Sequence, residues 1–179
     1  MKYLKTFENK ESEKIVGYYD NGNIYYIEYK LNDKYHRENG PAYQEWYKNG
    51  QDKLLIYYIN GKKHREDGPS VVEWYDNGQK KYESYYINDI LHNENGPANI
   101  DWYINGQIKS KDYVIHGKYD KEDGPSTIYF NINGQIISKI YCIDDDVYER
   151  KYWLEKLKEI KSPHYEEQKM LYDMEKYNL

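Results

Sequence analysis

The stretch that decides the fold is Tyr57-Tyr58-Ile59-Asn60-Gly61-Lys62-Lys63-His64-Arg65-Glu66-Asp67-Gly68-Pro69, continued by Glu73-Trp74-Tyr75-Asp76-Asn77-Gly78. Each landmark in it returns 28 residues away. Gly-Pro pairs fall at 40, 68, 96 and 124, and Asn-Gly pairs at 21, 49, 77, 105 and 133. Trp46, Trp74 and Trp102 keep the same step, with Phe130 in the fourth place. A fixed period of this length means stacked supersecondary units, each burying its face against its neighbours.

Within one unit, Gly-Pro opens a strand that runs to Trp74 and Tyr75. Asn77-Gly78 reads as a two-residue type I′ turn, which needs positive φ at both central residues. A second strand follows, rich in Tyr and β-branched residues, and ends at Asn32-Asp33, Asn60-Gly61 or Asn88-Asp89. A polar connector such as Lys63-His64-Arg65-Glu66 leads to the next Gly-Pro and adds at most a short extended piece. The turn pairs Asp76 with Gln79, Trp74 with Lys81 and Ser70 with Tyr85, and cross-strand partners share a face. Ser70, Val72, Trp74, Lys81, Glu83 and Tyr85 then lie together. The predicted repeat core is Trp46, Trp74, Trp102 and Phe130 with Tyr57, Tyr85 and Tyr113. Trp74→Ala is expected to cost roughly 3–5 kcal/mol if that ring is buried. The opposite face carries Tyr19, Tyr47, Tyr75 and Tyr103 with Tyr82 and Tyr86. These rings are either a half-exposed cross-strand ladder or a surface for a protein partner.

The expected fold is therefore mainly β: an elongated antiparallel meander of about ten strands, roughly 50 Å long at about 4.8 Å per strand, with a helical C-terminal cap. Residues 1–14 form a degenerate lead-in, 15–146 the repeat array, and 147–179 the C-terminal helices. Val147 to Lys161 reads as a helix with a stripe of Trp153, Leu154, Leu157 and Ile160. Ser162-Pro163 breaks it, and a second helix carries Met170, Leu171, Met174 and Tyr177. These helices either cap the last strand edge or dock a partner. They and the sheet edge are the surfaces through which a homo-oligomer would form.

Composition narrows the functions. Leu, Ile, Val and Phe make 34 of 179 residues, but 25 Tyr and 4 Trp supply burial that aliphatics normally give. The net charge is -5, which disfavours a nucleic-acid partner. Cys142 is the one cysteine. It occupies the place of Tyr58 and Tyr86, excludes an internal disulfide and favours a reducing compartment. No apolar run approaches the length of a membrane span, and Met1 to Lys14 lacks the apolar core of a signal peptide. A cytoplasmic protein is expected, in host cytoplasm if the source is viral.

The His rows are the one candidate for chemistry. His36-Arg37-Glu38, His64-Arg65-Glu66 and His92-Asn93-Glu94 recur at the period, with Asp120-Lys121-Glu122 in the fourth place. His-x-Glu offers two metal ligands, but neighbouring rows lie about 9–10 Å apart, too far to share one ion. A structural connector is the expected role. His116 and His164 stand isolated. No P-loop or dinucleotide fingerprint is present, and a repeated residue is seldom the single asymmetric site that catalysis needs. The sequence thus predicts no enzyme, no cofactor and no metal.

The Trp-Tyr-x-Asn-Gly and Gly-Pro elements, over about residues 15–147, resemble MORN-type repeats. They are most similar to the longer variants of large DNA viruses, phages and some bacteria. The resemblance implies an elongated β meander used in scaffolding, dimerisation or membrane-proximal assembly, and some bacterial relatives carry an antitoxin label. The period is longer than the usual one, and His-Arg-Glu-Asp-Gly-Pro replaces the usual Gly-rich step. The expected function is a non-catalytic protein–protein interaction scaffold. The alternatives are an antitoxin-like or immunity protein that occludes a partner, and a metal-dependent enzyme using a His-Glu row.

Overall fold

The computed structural model describes residues 12–177. Most of the 1–14 lead-in, and with it the reading of Met1 to Lys14, lies outside the described residues. Ten long strands follow one another in an antiparallel meander: Glu13–Tyr18, Ile24–Leu31, Tyr43–Trp46, Asp52–Ile56, Val71–Trp74, Lys80–Ser84, Asn99–Trp102, Ile108–Asp112, Thr127–Phe130 and Ile136–Ile143. Consecutive strands in this series pair side by side, with Glu13–Tyr18 at the edge. Asp146–Tyr148 and Lys34–Tyr35 complete a 12-stranded sheet. Between hairpins the connector folds back as a miniature hairpin of two-residue strands, such as Tyr58–Ile59 with Lys62–Lys63. Two helices close the chain: α1, Arg150–Glu159, and α2, Tyr165–Tyr177.

The body of each hairpin has the register expected from the sequence: Val71 faces Ser84, Val72 faces Glu83 and Glu73 faces Tyr82. The tip differs. Trp74 pairs with Lys80 rather than Lys81, across a one-residue shift that recurs at Trp46, Trp102 and Phe130. The Tyr75 carbonyl accepts from Gly78 N–H at 3.0 Å, and Tyr75 N–H donates to the Gln79 carbonyl at 2.9 Å. Gly78 has φ 82 while Asn77 keeps an ordinary negative φ. This is a type I turn closed by a left-handed Gly, the three-residue hairpin with a bulge. The true type I′ turns sit in the miniature hairpins, where both central residues have positive φ: Asn60 53 and Gly61 81, Asn88 53 and Asp89 67. Asn-Gly satisfies either geometry, so the dipeptide alone does not distinguish the two turns.

The sheet is one layer thick over most of its length, and its buried positions are small. Ala42, Ser70, Ala98 and Ser126, the residues after each Gly-Pro, are all fully buried. The N–H groups of Ala42, Ser70 and Ala98 donate to the strand ahead, and the carbonyls of all four accept from the hairpin behind. For Ser70 these bonds run to Ser84 O at 2.9 Å and from Tyr57 N at 2.8 Å. Ser70 Oγ also donates to the Ser84 carbonyl and accepts from Tyr86 N–H. The predicted core rings Trp46, Trp74, Trp102, Phe130, Tyr57, Tyr85 and Tyr113 are half-buried, not enclosed. A single layer gives each large ring only one packed side. Trp74→Ala should accordingly fall below the roughly 3–5 kcal/mol of a buried aromatic truncation.

The enclosed apolar cluster lies at the C-terminal end. Trp153, Leu154 and Leu157 of α1 pack on Tyr141 and Ile143, with Tyr148, Tyr165 and Tyr172 around them. The Tyr141 and Trp153 rings meet at 4.8 Å. The helix begins at Arg150 rather than Val147, because Asp146–Tyr148 pairs back on Tyr141–Ile143 as one more strand. Ile160 is exposed, as are Met170, Leu171, Met174 and Tyr177 on α2. The cap is partial: it covers Tyr141–Ile143 and leaves Ile136 and Ile137 of the same strand open. Leu157 is fully buried, so Leu157→Ala should destabilise the terminal unit by about 2–5 kcal/mol. Hydrogen exchange should show residues 136–177 opening first in this variant, while the central repeats keep their protection.

Candidate functional site

The two long edges of the array carry different chemistry. At the hairpin tips, each repeat is tied to the next by two side chains. Tyr19 Oη donates to the Trp46 carbonyl, Tyr47 to Trp74, Tyr75 to Trp102 and Tyr103 to Phe130, at 2.8–2.9 Å. Beside them Asn49 Nδ2 donates to the Asp76 carbonyl, Asn77 to Ile104 and Asn105 to Ile132. The same Asn77 accepts from Gln79 N–H through Oδ1, closing its own turn. One Asn therefore shapes one tip and grips the following one.

The rings assigned to a partner surface thus have internal roles. The hydroxyls of Tyr19, Tyr47, Tyr75 and Tyr103 are occupied by the next repeat. Tyr82 is half-buried and donates to Asn99 Oδ1 at 3.0 Å, and Lys63 Nζ lies 4.8 Å over the Tyr86 ring. Burial pushes the Tyr82 phenol up to about 12, and burial also raises Tyr58, Tyr85 and Tyr141. Half-buried ion pairs flank these rings. Burial alone would raise the Glu45 carboxyl, but hydrogen bonds from Lys53 and Tyr43 hold it below its ordinary value. Cys142 is buried, as a packing residue would be.

The opposite edge is the connector row. His36 Nδ1 accepts from Asn60 N–H, His64 Nδ1 from Asn88 N–H and His92 Nδ1 from His116 N–H, at 3.1, 3.3 and 3.1 Å. Each imidazole so anchors the miniature hairpin of the following repeat. The Arg37 and Arg65 guanidinium groups lie 4.0 and 4.1 Å over the Tyr29 and Tyr57 rings. Each also donates to a proline carbonyl, of Pro41 and Pro69 respectively. A Cβ on Gly68 would stand 3.2 Å from Arg65 Cζ, so glycine before proline keeps room for the stacked guanidinium. With Arg and His turned inward, the carboxylates point out. Glu38, Glu66 and Glu94 are exposed, one per repeat.

Between successive connectors run open grooves. One of about 700 Å³ is lined by Arg37, Glu38, His64, Arg65, Glu66 and Asp67. Another of about 590 Å³ is lined by Asn93, Glu94, Tyr113, Asp120, Lys121 and Glu122. The structural role expected for His36 and His64 fits their contacts. The expectation for His116 does not hold. It is not isolated: its ring stacks on His92 with centroids 4.4 Å apart and planes inclined by 10°. The reasoning from row spacing missed it because His116 comes from a turn, not from a neighbouring row.

Among the described residues no helix is long and apolar enough to cross a membrane. No protein-family model, curated protein or solved structure matches the chain.

Two outcomes follow from the tip bonds and the phenols. Tyr75→Phe removes one inter-repeat hydrogen bond and should cost about 1 kcal/mol in denaturant unfolding. A phenol raised by folding stabilises the fold below its unfolded value of about 10 and loses that contribution as pH climbs toward about 12. Ultraviolet titration should therefore show a late class of tyrosines whose ionisation coincides with alkaline unfolding.

Proposed function

We propose that this chain is a non-catalytic protein–protein interaction scaffold of MORN-like repeats, which holds an extended basic segment of a protein partner along its connector row. The carrying observation is the exposed carboxylate that each repeat presents at the rim of a groove: Glu38, Glu66 and Glu94. A strand-like partner passes such evenly stepped sites in sequence, so each repeat adds one contact of the same kind. The charge balance agrees, since a net charge of -5 attracts basic segments and repels phosphate backbones. The grooves are open and mixed in polarity, which suits side chains of a peptide better than an enclosed small molecule. The tyrosine ladder serves this role indirectly, by keeping the repeats at one spacing.

Charge reversal at Glu38 and Glu66 tests this reading without touching the stacked arginines. Glu38→Lys with Glu66→Lys should keep the native circular dichroism spectrum. The native array should capture a partner from the cell that makes it, and that capture should weaken with added salt and be lost in the double variant. Equal capture by both proteins, or a partner that binds independently of salt, would count against the connector row as the binding surface.

A further inference from the structure

The His-x-Glu motif occurs three times, but only one copy gains a third ligand. His116 stands at the turn position held by Asn32, Asn60, Asn88 and Asp144 in the other repeats, with φ 50. From that position its ring reaches back over His92 of the preceding connector. Glu94 Oε1 lies 3.6 Å from His92 Nε2. One ligand atom from each of His92, Glu94 and His116 lies within 4.8 Å of the others, and among the described residues no other such trio of His, Cys, Asp or Glu occurs.

A second departure coincides with the first. The connector residue that is Arg37 and Arg65 elsewhere is Asn93 here. Asn93 keeps the hydrogen bond to the proline carbonyl, donating to Pro97 O at 2.9 Å. It does not bring the fixed positive charge that would repel a cation beside Glu94. The adjoining groove adds Asp120 and Glu122, while its Lys121 is paired with Asp123 and lies over Tyr113. The connector that receives a second imidazole is therefore also one that has lost the guanidinium.

We propose that His92, Glu94 and His116 form a binding site for one divalent transition-metal ion, with zinc the best match. Two imidazoles and a carboxylate are a set that zinc accepts, and three protein ligands leave a fourth position for water or a partner side chain. His92 Nδ1 accepts the His116 N–H, so the neutral ring carries its proton on Nε2, 3.6 Å from Glu94 Oε1. The ion takes Nε2 by moving that proton to Nδ1, and the bond from the His116 N–H is then given up as the turn carries its ring to the metal. The stacked rings direct their in-plane lone pairs side by side. His116 must therefore turn its exposed ring to bring a nitrogen to about 2.0–2.1 Å from the ion. The site shares Glu94 with the proposed partner surface, but its test uses different residues, so either reading can fail without the other.

Zinc chloride titrated calorimetrically into the purified full chain should show one saturable ion per chain. Proton resonances of the His92 and His116 rings should move with the same stoichiometry, and binding should weaken in acid as the imidazoles take up protons. His116→Asn restores the residue of the neighbouring repeats and so keeps the turn, and it should weaken binding roughly tenfold or more. His64→Asn, in the sister row that lacks a third ligand, should leave it unchanged. A native chain that takes up no zinc overturns the proposal. Binding that survives His116→Asn undiminished also overturns it, since scattered surface carboxylates would then hold the metal.

Discussion

The structure depends on hydrogen bonds made one repeat ahead. A sheet of one layer cannot enclose large side chains, so the burial that stabilises a globular core is available here only in part. What remains is a regular set of bonds between neighbours. Tyr75 Oη and Asn77 Nδ2 reach forward at one edge, and His64 Nδ1 accepts from the following repeat at the other. The buried Ala or Ser after each Gly-Pro lets adjacent hairpins approach between those edges. Each bond is worth only about a kilocalorie per mole, but every repeat makes the same set. Stability therefore accumulates with copy number, as for other one-dimensional arrays.

This arrangement explains why tyrosine dominates the composition. A phenylalanine at the Tyr75 position would pack equally well and leave the Trp102 carbonyl without its partner. A tyrosine fills the half-buried ring position and completes the backbone bond of the next hairpin with one side chain. The cationic groups follow the same economy: Arg65 lies on Tyr57, donates to Pro69 and pairs with Asp67. Side chains that serve two neighbours at once cannot vary independently, and this keeps the period free of insertions.

Much of this was legible in the sequence. The period, the meander, the hairpin body register and a helical end all follow from residue spacing. The turn types were not separable, because Asn60-Gly61 and Asn77-Gly78 are the same dipeptide and differ only in whether Asn also takes positive φ. The buried spine was visible as the small residues Ala42, Ser70, Ala98 and Ser126, but large rings draw the eye when a core is sought. The length of the C-terminal helix was overestimated because Val147 and Tyr148 suit a strand as well as a helix. His116 was hidden for a geometric reason. In-phase comparison looks 28 residues away, whereas the bond that places His116 against His92 spans 24.

That offset locates where a repeat protein can acquire individuality. Positions compared in phase report what every copy must do, and the groups that tie the copies together, such as Tyr75 and His64, have internal contacts. Changes at two positions out of phase, yet adjacent in space, can build something that exists once. Asn93 and His116 are such a pair: one removes a charge from a connector and the other adds an imidazole from the next turn. Each change alone leaves the repeat's backbone bonds intact, since Asn93 still reaches Pro97 and His116 N–H still reaches His92. The scaffold therefore tolerates the asymmetry at little cost to folding, which is the condition under which a site distinct from the repeat can persist within it.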